Sequence, residues 1–385
     1  MCGIVGYIGQ NQAAQLLLDG LRRLEYRGYD SAGLAVHDGK RINVLRTVGK
    51  LNRLAGALRE NPLPGTVGIG HTRWATHGRP NEVNAHPHVA GGVAVVHNGI
   101  IENHLALRRQ LEQDGVKLSS DTDTEIVAHL VDRQKRTDGS TLFQAVRGAL
   151  KLVKGAYAIA VLCDQEPGTI VVAKDASPLV LGVGDGEMLC GSDIPALLDH
   201  TRDMVFIDDG EIAELTAKGI RIETLEGKAI ERAPKRIDWS PMMAEKGGFK
   251  HFMLKEIHEQ PRAVEDTLRG RVNLTAGDIN GAEIGLTAEV AQQITRVYLL
   301  ACGTSHHATI AGRYWIEQLA RIPAVVEMAS EVRYREPVFL PTDLVVAVSQ
   351  SGETADTLAA VRAAKEKGAK VLAVANVLDS AIPRL

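Results

Sequence analysis

The chain has 385 residues, of which 45% are hydrophobic and 24% charged, and a formal net charge of −3. This is the make-up of a soluble globular protein of two or three domains. It gives no electrostatic case for nucleic acid or a membrane surface as partner. No run of about 18 apolar residues occurs, so no transmembrane helix is expected.

The chain begins Met1-Cys2-Gly3-Ile4-Val5-Gly6-Tyr7, with no Lys or Arg before Arg22. A secretory signal would begin with a basic stretch followed by an apolar one. The four cysteines, Cys2, Cys163, Cys190 and Cys302, fit neither a zinc motif nor a dense disulfide framework. The expected compartment is therefore the reducing cytoplasm. Initiator methionine is usually removed before a small residue, which would leave Cys2 first in the chain. One residue would then carry a thiol and a free α-amine, with reference pKa values of about 8.5 and about 7.7–8.0. The amine can take the thiol proton near neutral pH, so a nucleophile would carry its own base. A cysteine that merely follows methionine is the alternative.

Residues 1–225 alternate strand-like and helix-like segments. The pattern predicts strands at Gly3–Ile8, Ala32–His37, Thr66–His71, Val93–Asn98, Ala156–Cys163 and Thr169–Lys174. Helical spacing covers Gln12–Leu24, Ile101–Asp114, Thr124–Arg136 and Ser140–Leu152. Asp38-Gly39 is a hairpin signal. Many strands with few helices suggest sheets covered by helices. Residues 226–250, with Pro234, Pro241 and Gly247-Gly248, are expected to be a linker between a domain at 2–225 and another at 251–385.

Beyond it come continuous apolar runs, Val297–Ala301, Leu344–Val348 and Val371–Ala375, and a weaker one at Ala324–Met328. Helical patterns at His307–Leu319 and Thr354–Lys367 lie between them. Buried strands alternating with helices predict a doubly wound parallel sheet, with its ligand at the carboxyl ends of the strands. After the fourth strand, Asp379–Leu385 is expected to hold no further strand or helix. That leaves the sheet incomplete, with an open edge.

Cys2 needs partners, and three segments at strand ends or helix starts offer them: His71–Gly78, His97-Asn98-Gly99 and Ser119–Glu125. Arg73 can grip a carboxylate through two parallel hydrogen bonds. Asp123 can accept from an ammonium group. The Asn98 amide and the Gly99 backbone N–H can form an oxyanion hole. Together these groups describe the hydrolysis of an amino-acid side-chain amide. Each has a plainer alternative: Asp123 as a helix cap, and Asn98-Gly99 as a hairpin turn. His86-Pro87-His88 invites a metal, but no carboxylate completes a familiar ligand set. No metal and no cofactor is expected.

Met1–Gly6, Arg22–Gly33, His71–Gly78, His97–Gly99 and Ser120–Asp123 together resemble the N-terminal-nucleophile (class II) glutamine amidotransferases, and among them the glutamine–fructose-6-phosphate aminotransferase family. The resemblance implies a four-layer α/β/β/α glutaminase domain. It implies Cys2 as the nucleophile and its amine as the base, with Asn98 and Gly99 as the oxyanion hole. Arg73, Thr76, His77, Gly78 and Asp123 would bind glutamine, and Trp74 would gate ammonia passage.

In the second half, Ala301–Ser305 and Ser349–Thr354 are hydroxyl-rich turns between a strand and a helix. Free N–H groups at a helix start suit a phosphate, though Ser and Thr also cap helices. With no Lys in either turn, neither is a P-loop. This half resembles a sugar isomerase (SIS) domain. That implies that Ser349, Gln350, Ser351 and Thr354 hold a sugar phosphate, with Thr304 and Ser305 near the sugar. Cys302 reads as a lining residue, and His306 and His307 as helix-start residues. The family implies glutamine and fructose 6-phosphate as substrates and a homodimer for full-length members. Its members continue past residue 385, so the chain is expected to end inside the first SIS domain. The glutaminase constellation would be whole and the synthase one not. The rivals are a class II amidotransferase with another acceptor and a non-catalytic phosphosugar-binding module.

Overall fold

The computed structural model describes residues 2–25, 29–73, 81–136, 140–237, 249, 251–268, 272–273, 278–279, 281–377 and 380–385. The chain divides into two compact units, Met1–Glu245 and Lys246–Leu385.

In the first unit the order runs β1 (Gly3–Ile8), α1 (Ala13–Arg23), β2 (Ser31–His37), β3 (Ile42–Val48), α2 (Leu51–Glu60), β4 (Val67–Arg73), β5 (His88–Ala90) and β6 (Val93–Ile101). Then follow α3 (His104–Gln113), α4 (Asp123–Lys135), α5 (Leu142–Leu150), β7 (Gly155–Cys163), β8 (Ile170–Asp175), β9 (Val180–Val183) and β10 (Met188–Gly191). β11 (Asp203–Phe206), β12 (Glu211–Thr216), β13 (Gly219–Thr224), β14 (Ala229–Ile230) and β15 (Lys235–Arg236) complete it. An eight-stranded sheet has the order β15-β11-β9-β10-β1-β4-β2-β3, and a seven-stranded one β14-β13-β12-β8-β7-β6-β5.

Strand alternation explains the layering. Successive side chains of a strand point to opposite faces. On β1, Val5 and Tyr7 pack in the cluster that includes Leu17 and Leu21 of α1. Ile4 and Ile8 pack instead with Ala94 and Val96 of β6 and with Ala158, Ala160 and Leu162 of β7. On β7 the other set, Ile159, Val161 and Cys163, meets Ile126, Leu130 and Val146 of α4 and α5. The result is helix, sheet, sheet, helix, as the resemblance implied. Gly68 and Gly70 stand on the helix face of β4, where a Cβ would come within 2.8 Å of Leu17 and of Leu34 respectively. Their missing side chains let α1 lie close to the sheet.

The sequence misplaces one boundary that matters. β6 does not stop at Asn98 but runs on to Ile101, pairing Gly99 with Tyr157 and Ile101 with Gly155. Asn98-Gly99 is therefore strand, not a hairpin turn, and α3 starts only at His104. The expected linker is also partly sheet. Residues 229–236 add edge strands to both sheets, because Ile230 packs into the core between the sheets and Ile237 is buried against the outer one.

The second unit contains α6 (Phe252–Leu268), β16 (Val272–Asn273), β17 (Asp278–Ile279), α7 (Ala288–Gln292), β18 (Arg296–Ala301) and α8 (Gly303–Trp315). β19 (Ala324–Met328), α9 (Ala329–Arg335), β20 (Asp343–Ser349), α10 (Ala355–Glu366), β21 (Lys370–Ala375) and α11 (Ala381–Arg384) follow. Four parallel strands form a sheet of order β19-β18-β20-β21. α11 corrects the expectation of an unstructured end. Its first N–H groups are satisfied by the Glu353 carboxylate (2.8 Å) and the Gly352 carbonyl (2.9 Å), and Ile382 is buried. No helix of the described residues is long and apolar enough to cross a membrane.

Ile69 lies wholly buried between the two sheets. Ile69→Ala should lower the unfolding free energy by about 2–5 kcal/mol, read as an earlier urea transition of the full chain. An unchanged midpoint would mean that the space between the sheets is not closely packed.

Candidate active site

Three strands bring the first site together by their alternation alone. β1 and β4 are antiparallel neighbours, with Gly3 opposite Thr72 and Ile4 opposite His71. The same register carried one residue further sets Cys2 opposite Arg73. On β4, Val67 and Ile69 face the other sheet, so His71 and Arg73 share that face. On β6, Ala94 and Val96 face it, and Asn98 comes next. Cys2 is two residues before Ile4, on the same side. The space between the sheets thus ends in Cys2, His71, Arg73 and Asn98.

The contacts agree. Asn98 Nδ2 donates to the Cys2 carbonyl at 3.3 Å. Asn98 Oδ1 lies 2.9 Å from His71 Nε2. Beyond Asn98, Gly99 has φ +136°, and a Cβ there would come 1.9 Å from the Ala156 carbonyl oxygen. Only glycine fits. A side-chain amide and a neighbouring backbone N–H are the groups an oxyanion needs.

Asp123 is the first residue of α4 and 5% exposed. The cap of that helix is Thr122, whose hydroxyl accepts from the Glu125 N–H. Asp123 Oδ2 instead accepts from the Ile101 N–H at 2.9 Å, at the end of β6. The carboxylate is thereby fixed to the strand that carries Asn98. Glu125 braces the approach to α4. It accepts from the Ser119 N–H and hydroxyl and from the Ser120 N–H. Burial opposes its charge, yet the bonds from His129, Ser119 and Ser120 prevail and hold its carboxyl well below the usual range.

Trp74, Thr76, His77 and Gly78 lie outside the described residues.

The crowded histidines form a group that the sequence did not assign. The His71 and His86 rings stack with centroids 4.2 Å apart, and His86 meets His88 edge-on at 5.0 Å. His88 Nε2 is 2.9 Å from the Thr122 hydroxyl, and His97 Nδ1 is 3.0 Å from that of Thr124. Burial pushes His71 and His88 down to about 3 and His86 well below its ordinary value. These rings are neutral supports. Among the described residues no group of three or more His, Cys, Asp or Glu could hold a metal ion. The available signal was the recurrence of His in and beside β4, β5 and β6.

The second site lies where the strand order reverses. From β18 the chain steps outward to β19, then returns past β18 to β20. Ile316, just beyond α8, packs on the sheet face carrying Val297 and Leu299, while α9 and α10 pack on the face carrying Tyr298 and Leu300. The turns leaving β18 and β20 therefore diverge to opposite faces and open a crevice, the usual ligand position in such sheets. In the 349–354 turn, Ser349 Oγ accepts from the Gly352 N–H at 3.0 Å and lies 3.2 Å from Thr354 Oγ1. Ser351 Oγ accepts from the Glu353 N–H at 3.2 Å. A hydroxyl that accepts within the turn keeps a proton to donate outward. Gln350 and Thr304 are exposed and Ser305 half-buried. Cys302 Sγ lies 4.0 Å from Thr357 Oγ1, and His306 and His307 fall in the first turns of α8.

Residues 71–199 match the glutamine amidotransferase domain family and residues 291–385 the SIS domain family. Over its whole length the chain is 53% identical to the glutamine–fructose-6-phosphate aminotransferase (isomerizing) of Symbiobacterium thermophilum. The chain is similar throughout to the glutamine–fructose-6-phosphate aminotransferase family. Its member from Clostridium tetani is 48% identical, again over the whole chain. The chain spans 63% of the length of each of these relatives. A solved structure of the glutamine phosphoribosylpyrophosphate amidotransferase of B. subtilis matches 97% of this chain and 81% of its own, with a TM-score of 0.53 and 22% identity. That likeness is one of fold.

The neutral histidines set a pH dependence. Their folded pKa values lie below the unfolded value of about 6.5, so the unfolded chain binds protons first as pH falls. Stability should be level above pH ~6.5 and decline below it, by up to about 1.4 kcal/mol per pH unit for each histidine. Urea unfolding followed by circular dichroism at pH 7, 6 and 5 reads this above the carboxylate range. A His86→Phe variant should show a shallower fall.

Proposed function

We propose that the first unit hydrolyses glutamine at Cys2 and that the second binds fructose 6-phosphate, which receives the ammonia to give glucosamine 6-phosphate. The observation that carries the reading is the convergence of Cys2, Arg73 and Asn98 on one face at the end of the intersheet space. In this reading Arg73 grips the glutamine α-carboxylate and Asp123 its ammonium. The freed α-amine of Cys2 takes the thiol proton, and Sγ attacks the side-chain amide carbon. Asn98 Nδ2 and the Gly99 N–H receive the developing oxyanion. The amine returns its proton to the departing nitrogen, ammonia leaves, and a thioester remains. Water then attacks the thioester, releasing glutamate and restoring the thiol.

The crevice between the turns of β18 and β20 supports the second half of the proposal. Its donors are backbone N–H groups and hydroxyls, suited to a phosphate without a lysine. The family supplies fructose 6-phosphate as acceptor, a homodimer as assembly and the cytoplasm as compartment, all carried to this chain as part of the proposal. A phosphoribosyl acceptor is not favoured, because the relatives similar over the whole chain are the fructose-6-phosphate enzymes.

Glutamate and glucosamine 6-phosphate should be assayed separately on the purified chain, with Met1 removal checked by intact mass. Glutamate release is expected, and Cys2→Ser should abolish it with the circular dichroism spectrum unchanged. A folded chain that lacks Met1 and releases no glutamate would sink the glutaminase reading. For the second unit, Ser349→Ala removes the acceptor of the Gly352 N–H. It should cost about 1 kcal/mol of stability and weaken fructose 6-phosphate binding by roughly tenfold in calorimetry. Unchanged affinity would move the phosphate away from this turn.

A further inference from the structure

We infer that His71 is a positioning residue for the oxyanion hole: its Nε2–H fixes the Asn98 side-chain amide so that the Asn98 N–H groups face Cys2. The inference rests on the glutaminase reading above, and no role for His71 is part of that reading.

The hydrogen bonds of one amide fix the arrangement. Asn98 has an oxygen that only accepts and a nitrogen that only donates. Its oxygen lies 2.9 Å from His71 Nε2 and its nitrogen 3.3 Å from the Cys2 carbonyl. Nε2 must therefore be the protonated nitrogen of the ring. Nδ1 has no hydrogen-bond partner among the described residues and is fully shielded from water. A proton there would leave a buried donor unsatisfied, at about 1–3 kcal/mol. One tautomer is thus favoured from both ends. Stacking on His86 at 4.2 Å holds the plane of the ring, and His71 itself is 0% exposed. If the amide turned over, its oxygen would face the Cys2 carbonyl and the developing oxyanion, and its nitrogen would face the His71 N–H. Both contacts would become repulsive. An oxyanion-hole donor works because it is aimed before the reaction begins, and the aiming group for Asn98 is His71.

Three substitutions test this. His71→Leu removes the N–H while keeping bulk, and His71→Asn places its amide too short to reach Oδ1. His71→Gln places an amide N–H near the position of Nε2. Leu and Asn should each lower the kcat of glutamate release on the order of 100-fold, with KM within about threefold. Alkylation of Cys2 by iodoacetamide needs no oxyanion hole and should keep its wild-type rate. Gln should recover at least about tenfold of the lost kcat. A crystal structure of His71→Leu should show the Asn98 amide turned from the Cys2 carbonyl. The proposal is overturned if Leu keeps kcat within about threefold of wild type, if Gln is as impaired as Leu, or if Asn98 is unmoved in the Leu structure. A wild-type chain that releases no glutamate would refute the glutaminase reading instead. The Asn98 geometry in the Leu structure would still decide the role of His71.

Discussion

Everything at the first site depends on the antiparallel pairing of β1 with β4. A one-residue slip in that pairing would send Ile4 and Ile8 toward the helices and Val5 and Tyr7 into the intersheet space. The same slip would turn Cys2 away from the face that holds Asn98. The core and the site are therefore specified by one register. The register is strongly held, because both faces of β1 are buried, one against α1 and one against the second sheet. β6 contributes from the opposite sheet by the same rule. Its inner face runs Ala94, Val96, Asn98, apolar where sheet meets sheet and polar where the space opens.

Much of this was legible in the sequence because period-two alternation is a local signal. The strands that carry Cys2, His71 and Asn98 were each found within a few residues, and their facing sides follow from counting. The end of β6 was not legible. Asn-Gly followed by an apolar, helix-like stretch reads as a turn, and only the pairing of residues 99–101 with 155–157 keeps that stretch extended. Nor could the edge strands at 229–236 be read. Two-residue strands have no periodicity, and what holds them is burial of Ile230 and Ile237 against elements distant in sequence. The role of Thr122 rather than Asp123 as helix cap depends on a backbone angle that composition does not set.

In the second unit the sequence showed which turns matter but not why they cooperate. Two hydroxyl-rich loops at strand ends could have lain at opposite edges of the sheet. The strand order makes β18 and β20 neighbours, and the packing of their helices on opposite faces separates the turns into two walls. Gly352 closes one wall onto the end of the chain. With φ +65°, it leaves a place that a Cβ would fill against Ser380 at 1.8 Å.

The four cysteines are sorted by this architecture. Cys190 is packed between the sheets opposite Gly6, and Cys163 lies beneath α4 and α5; both are buried, and burial pushes both thiols up, Cys190 to about 12. Cys2 and Cys302 are only half-buried. The first unit presents one solvent-reachable thiol, at the start of β1, and the second unit presents one, at the end of β18. A thiol reagent applied to the native chain thus marks each unit once. Labelling beyond two thiols per chain therefore reports opening of the first unit, which alone holds buried cysteines.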